Sequence, residues 1–279
     1  MGSIYILGSS PHLPTQVLNL FPSSHFAKTQ YRDISTFSQE VSALSNKQVH
    51  DLRTSLSAFQ LDILYLETPP QKNKKTLFVF DMDSTLIKQE VIDELARRAG
   101  VFAEVSRITE EAMQGNLDFE TSLRRRCSLL RGISEEIFNE LYPFLELNQG
   151  VMEFFEDSFF QASKKVVLSG GFSPILKSFT RDYKFSDYRA NTLVVRDGLL
   201  TGELDGEIID SRKKKEYLHY FSELYEIEQV FAIGDGANDT GMINSTPFGF
   251  GFKPKEGLKR GITNWIEYTP LYGILSIFD

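Results

Sequence analysis

The sequence predicts an α/β protein: a doubly wound parallel sheet, a helical cap inserted after the first core strand, and a small N-terminal α+β domain. Short runs apolar on both faces, Leu77 to Phe80, Lys165 to Ser169 and Gln229 to Ile233, read as buried strands covered on two sides. Helical spacing between them gives the alternation of a parallel sheet. From about residue 90 to 148 the spacing is helical throughout, which marks an insertion.

In chain order, residues 1–70 make the small domain. Ser3 to Gly8, His25 to Tyr31 and Leu61 to Glu67 read as strands, Pro14 to Phe21 as a short helix, and Phe37 to Phe59 as one or two helices. His12, His25 and His50 are scattered there without a ligand spacing and read as structural. Thr68 to Lys75, with two prolines among polar residues, is the linker, and residues 71–279 form the core with its cap. Gln89 to Ala99 is a helix that Gly100 would cap. Helical spacing continues through Ala103 to Met113, Phe119 to Leu130 and Ser134 to Leu141. Val151 to Phe160 is a further helix, and GGFSP marks a turn into a helix through Lys177. Asn191 to Arg196 and Leu199 to Leu204 flank Asp197-Gly198, a hairpin signal. Lys213 to Leu224 is a helix, GDGAND a second glycine-rich turn, and Phe248 to Phe252 a last strand.

The chain has 279 residues, enough for one or two packed cores. A formal charge of -8 argues against general affinity for nucleic acid, so a phosphorylated substrate would need local positive charge from Lys, Arg or a metal. The single cysteine, Cys127, excludes an intramolecular disulfide and fits a reducing compartment. No apolar run reaches the length of a membrane span, and the N-terminus lacks the basic start and apolar middle of a signal peptide. The expectation is a cytoplasmic protein with no nucleic-acid or membrane partner, and a homodimer is left open.

Four strand ends carry polar signals: Asp81 with Asp83, Ser169 with Gly170 and Gly171, Lys214 at a helix start, and Asp235 with Asn238 and Asp239. Each alone has a structural explanation as a cap or a turn. In a parallel sheet, however, the carboxyl ends of the strands share one edge, so the four can converge. Clustered carboxylates repel unless a cation is present, and oxygen ligands without His or Cys suit Mg²⁺. Ser169, Lys214 and backbone N–H groups could then hold a phosphate. A carboxylate can act as a nucleophile, and a second one two residues on can shuttle the proton. Arg124, Arg125 and Arg126 are consecutive on a helix, as are Lys213, Lys214 and Lys215, and spacing does not choose among them.

FDMDSTL, LSGGF, the Lys of RKKKE and IGDGAND resemble the four motifs of the haloacid dehalogenase superfamily of aspartate-nucleophile phosphatases. The longer stretches DMDSTLIKQEVIDELARRAG, ITEEAMQGNLDFETSLRRRCSLLRG and IGDGANDTGMI resemble the phosphoserine phosphatases within it, over about residues 76 to 260. The resemblance implies a haloacid-dehalogenase-like core and Mg²⁺-dependent hydrolysis of phosphoserine through an aspartyl phosphate, the last step of serine synthesis. It implies Asp81 as nucleophile and Asp83 as general acid and base. It places Mg²⁺ on Asp81, Asp83 through its carbonyl, and Asp235, with Asp239 as support for the lysine. Ser169, Gly170 and Lys214 would bind phosphoryl oxygens, with Asn238 beside them. Glu90 would meet the substrate ammonium and Arg126 its carboxylate, with Met113 and Phe119 walling the pocket.

The chain departs from the pattern at Phe252-Lys253-Pro254, where the family often has Ala-Lys-Pro, and at Thr240 and Gly241. Related enzymes can carry amino-acid-binding ACT domains ahead of the core, and residues 1–70 read one strand short of that order. Two other functions are weighed: a phosphatase or phosphotransferase acting on another small amine-bearing phosphomonoester, and a regulatory protein that only binds serine or phosphoserine.

Overall fold

The computed structural model describes residues 1–21 and 25–278, with Met113 described in its backbone only. The elements begin with β1 (Gly2–Gly8), α1 (Thr15–Leu18), β2 (Ala27–Tyr31), β3 (Ile34–Val41), α2 (Asn46–Ser57), β4 (Asp62–Leu66) and β5 (Thr76–Phe80). The cap helices are α3 (Val91–Ala99), α4 (Phe102–Met113), α5 (Phe119–Ser128) and α6 (Ile137–Leu141). Then come α7 (Val151–Phe155), α8 (Ser158–Ala162), β6 (Lys164–Phe172), α9 (Ser173–Asp182), β7 (Asp187–Arg196), β8 (Leu199–Asp205) and α10 (Ser211–Leu224). The chain closes with β9 (Gln229–Gly234), α11 (Thr240–Ile243), β10 (Phe248–Phe252), α12 (Glu256–Lys259) and β11 (Trp265–Ile266).

The chain divides into two compact units, one of Met1–Val79, Gln149–Lys164 and Tyr220–Asp279, the other of Phe80–Asn148 and Lys165–His219. The first holds an antiparallel sheet of order β2-β3-β1-β4. The sequence of elements βαββαβ is that of a ferredoxin-like motif. Strand β3 corrects the helix expected from Phe37 onward. Its Ser, Gln and Glu obscured a strand in which Ser35 and Thr36 are buried, their hydroxyls bonded to Gln30 and to Ser276.

The same unit contains strands of order β11-β10-β9-β5, with β9, β10 and β11 parallel. Its core is aromatic: Phe78 of β5 meets Phe154, Phe160 and Phe231 at centroid distances of 5.4, 5.3 and 5.0 Å. All four rings are nearly inaccessible to solvent, and each stabilises the fold by about 1.5–3 kcal/mol. Three polar side chains tie the N-terminal elements to the segment around β11. Asn264 exchanges both amide hydrogen bonds with the Tyr65 backbone, and the Arg53 guanidinium lies 3.6 Å from the Trp265 ring centroid while donating to the carbonyls of Trp265 and Thr263. Asp62 accepts from the backbone N–H groups of Glu267, Tyr268 and Thr269.

The second unit holds the cap helices and strands of order β6-β7-β8, with β6 and β7 parallel and β8 antiparallel. Asp197 and Gly198 both take positive φ, 53° and 75°, in the turn their dipeptide predicts. The turn expected at GGFSP is replaced by strand: β6 runs on through Gly170 and Gly171 to Phe172, and α9 starts at Ser173. No described helix is long and apolar enough to cross a membrane.

Candidate active site

The second unit brings together most of the predicted residues. Asp81 follows β5 directly, is buried, and faces the Lys214 ammonium at 2.7 Å. Lys214 has no exposed side-chain surface and sits in the first turn of α10, which the Asp210 carboxylate caps by accepting from Lys213 N–H. At that distance the ammonium supplies a counter-charge for the buried carboxylate. The lysine triplet is thereby resolved: Lys213 pairs with Glu207 and Glu216 on the surface, Lys215 is exposed, and Lys214 alone points inward to an acid.

Asp83 accepts a hydrogen bond from Val91 N–H, the first residue of α3, at 3.1 Å. The reading of Asp83 as a helix cap therefore holds alongside any catalytic one. Between the two acids and the cap, Ser84 adopts a left-handed φ of 58°, an uncommon backbone for a residue with a Cβ. It is fixed by Asn148, whose amide donates to Ser84 O, and its own hydroxyl donates to Glu90 at 2.9 Å. Glu90 thus stands at the N-terminus of α3 beside the loop that carries both acids.

Ser169 is fully buried, and its hydroxyl accepts Gly171 N–H at 2.9 Å. The glycines of LSGGF are required by close approach, since neither has positive φ. A Cβ on Gly170 would lie 3.1 Å from the Phe119 ring, and one on Gly171 would lie 3.0 Å from Ser169 Oγ and 3.6 Å from the Asp83 carboxylate. Phe119, at the start of α5, therefore packs against the end of β6. The Met113 side chain lies outside the described part of the structure.

The arginine triplet is resolved as well. Arg124 pairs with Glu120 and Arg125 with Glu111, while Arg126, half-buried, makes no ion pair among the described residues. Burial pushes its guanidinium below the ordinary value, and the nearby Asp93, Glu90 and Asp83 offset part of that. A guanidinium without an ion pair among the described residues can take a carboxylate.

In the other unit, Asp235 directly follows β9 with 2% exposure. The Asp239 carboxylate accepts from the N–H groups of Asp235 and Gly236 at 3.1 and 3.0 Å, so it holds the turn. Gly234 and Gly236 leave room for it: a Cβ on either would fall 2.4 Å from Asp239 or from Asn238 Oδ1. Lys255 completes this half-site, with its ammonium 3.0 Å from Asp235 Oδ2. Asp235 and Asp239 are buried oxygen donors in this unit, as Asp81 is in the other. Carboxylate donors of this kind, with no His or Cys among them, fit a hard divalent cation.

Sequence reasoning missed several residues. Asn191, 1% exposed, donates to Gly170 O and accepts Ile209 N–H, which ties the end of β6 to the segment leading into α10. Ser84 and Asn148 also act through a contact distant in sequence, whereas Asp210 acts locally and carried a readable signal, as an Asp preceding a helical run. A cavity of ≈ 580 Å³ is lined by residues between Leu20 and Ser55, among them Phe21, Val41, Asp51 and Leu52, and contains none of these side chains.

A family profile described as haloacid dehalogenase-like hydrolase matches residues 78–244. The chain belongs to that family. It is accordingly a hydrolase, and its fold class is the α/β one read from the strand pattern. Among curated relatives, a phosphoserine phosphatase of Archaeoglobus fulgidus is 36% identical over 81% of this chain and 66% of its own. A phosphoserine phosphatase of Lactococcus lactis is 37% identical over 74% of this chain and 96% of its own. Among solved structures, a probable phosphoserine phosphatase from Vibrio cholerae in unliganded form superposes with a TM-score of 0.81 at 28% identity. It covers 99% of this chain and 85% of its own, so this haloacid dehalogenase-like hydrolase shares with it the N-terminal elements as well as the core.

Proposed function

We propose that this hydrolase is a Mg²⁺-dependent phosphoserine phosphatase. The observation that carries the reading is the pairing, within one unit, of Asp81 held by Lys214 with a cap that presents Glu90 and Arg126, a guanidinium with no ion pair among the described residues. Phosphoserine is a zwitterion with a phosphate, so its recognition calls for one acid, one guanidinium and a phosphate cradle. The relatives named phosphoserine phosphatase support the same substrate.

In this reading Arg126 binds the substrate carboxylate, Glu90 its ammonium, and Ser169, Gly170 N–H and Lys214 the phosphoryl oxygens, with Asn238 beside them. Asp81 Oδ forms a bond to phosphorus as the phosphorus–serine oxygen bond breaks, and Asp83 gives its proton to the departing serine oxygen. Asp83, now ionised, takes a proton from water as that water attacks the aspartyl phosphate, and the bond to Asp81 breaks to release phosphate. Asp81, the Asp83 carbonyl and Asp235 would hold Mg²⁺, which when bound supplies the charge that lets a phosphate dianion approach carboxylates. Closure of the cap would keep bulk water from the acyl phosphate. The βαββαβ order supports reading residues 1–70 as an ACT-like domain preceding the core.

Phosphate release from a panel of small phosphomonoesters tests the proposal. Phosphoserine should be the best substrate, phosphothreonine and phosphoethanolamine poorer, and EDTA should abolish turnover. Preference for an ester lacking either the carboxylate or the amine, or activity that survives EDTA, would refute it.

A further inference from the structure

We propose that Lys255 is a displaceable counter-ion that holds the Asp235 carboxylate when no metal is bound and leaves when a divalent cation enters. This rests on the reading of Asp235 as a metal ligand and adds to it a residue that sets how tightly the metal binds.

Asp235 is 2% exposed, and a carboxylate buried that deeply needs charge compensation. Lys255 provides it from a fixed base. Its backbone N–H donates to Asp235 O at 2.8 Å, and its ammonium stands 3.0 Å from Asp235 Oδ2. The approach is shaped by the chain just before it: Lys253 takes a φ of 43°, and Pro254 packs so close to Gly251 that a Cβ there would lie 3.0 Å from the ring. The Lys255 backbone is therefore anchored, while its side chain is 52% exposed and has water to move into.

Lys214 is the contrast. It holds Asp81 at 2.7 Å but has no exposed side-chain surface, so it has nowhere to go. A hard cation binds a carboxylate oxygen at about 2.1 Å. An ammonium 3.0 Å from that same oxygen would face the dication at close range and be repelled. Metal binding and the Lys255–Asp235 pair are thus mutually exclusive at Oδ2, and the exposed partner is the one that yields.

The test uses the full chain, with Mg²⁺ as the probe, in calorimetric titrations and thermal unfolding of the wild type, Lys255→Gln, Lys255→Arg and Asp235→Asn. Loss of the competing cation should make Lys255→Gln bind Mg²⁺ roughly tenfold tighter. Lys255→Arg, which keeps the charge, should stay near the wild type. Lys255→Gln should also lower Tm in EDTA and leave it unchanged at saturating Mg²⁺. Equal or weaker Mg²⁺ binding by Lys255→Gln, or a Tm loss of the same size with and without metal, would overturn the proposal alone and leave only a surface-accessible ion pair. Wild-type Mg²⁺ affinity in Asp235→Asn would overturn the reading of Asp235 as a ligand, and the proposal with it.

Discussion

Asp62 and Asp81 are both buried carboxylates at the ends of strands, yet the groups that hold them differ in kind. Asp62, at the start of β4, is surrounded by neutral donors: three backbone N–H groups and the Thr269 hydroxyl. Desolvation nevertheless leaves its carboxyl above the ordinary value, with those hydrogen bonds offsetting part of the shift. Asp81, at the end of β5, faces an ammonium. Neutral donors fix a loop against a sheet and occupy the lone pairs of the acid. An ammonium instead pairs with the charge that a nucleophilic carboxylate carries. Burial of a charge therefore identifies neither scaffold nor chemistry until its partner is known.

Asp81→Asn should separate the two cases most sharply. An amide cannot attack phosphorus, so kcat should fall by roughly 10⁴-fold or more while the far-UV spectrum stays close to that of the parent. A variant that keeps its turnover would remove Asp81 from the nucleophile role. Asp62→Ala should do the reverse. It strands three backbone donors and should cost on the order of 3 kcal/mol of stability, seen as a lower Tm, with kcat of the folded protein unchanged at 25 °C. A kcat loss like that of Asp81→Asn would erase the distinction.

Arg126→Ala tests whether a half-buried guanidinium with no ion pair among the described residues belongs with chemistry. KM for phosphoserine should rise about 100-fold, with little change for phosphoethanolamine, which has no carboxylate. Equal effects on both esters would argue against a carboxylate clamp. The smallest effect concerns Cys127, buried without any role in the site. Burial pushes its thiol up to about 12. A raised value means the unfolded thiol ionises first, near pH ~8.5, so its share of stability is present below that pH and lost as pH climbs toward the folded value. Native protein at pH 9 should react with iodoacetamide only as fast as it opens, and rapid alkylation would show the thiol to be accessible.

The family and the main strands were legible because they depend on local features. An apolar run of four or five residues forms a buried strand wherever it is placed, and Asp-Gly makes its turn through backbone conformation alone. Strand β3 was not legible, because its Ser35 and Thr36 are satisfied only by partners that the fold brings to them. The glycines of LSGGF looked like a turn, but they are glycine because Phe119 and Ser169 crowd the Cβ positions of an extended strand.

The sequence by itself determined the α/β class, the acids at the strand ends and the helical insertion, since periodicity and chain order suffice for each. Tertiary structure decided which way each member of the basic triplets points. Neighbouring residues on a helix point about 100° apart, and only packing shows which direction is inward. Lys214 and Arg126 turn toward acids while their neighbours turn to the surface. It also brought forward Asn191 and Lys255, whose meaning lies wholly in partners remote along the chain.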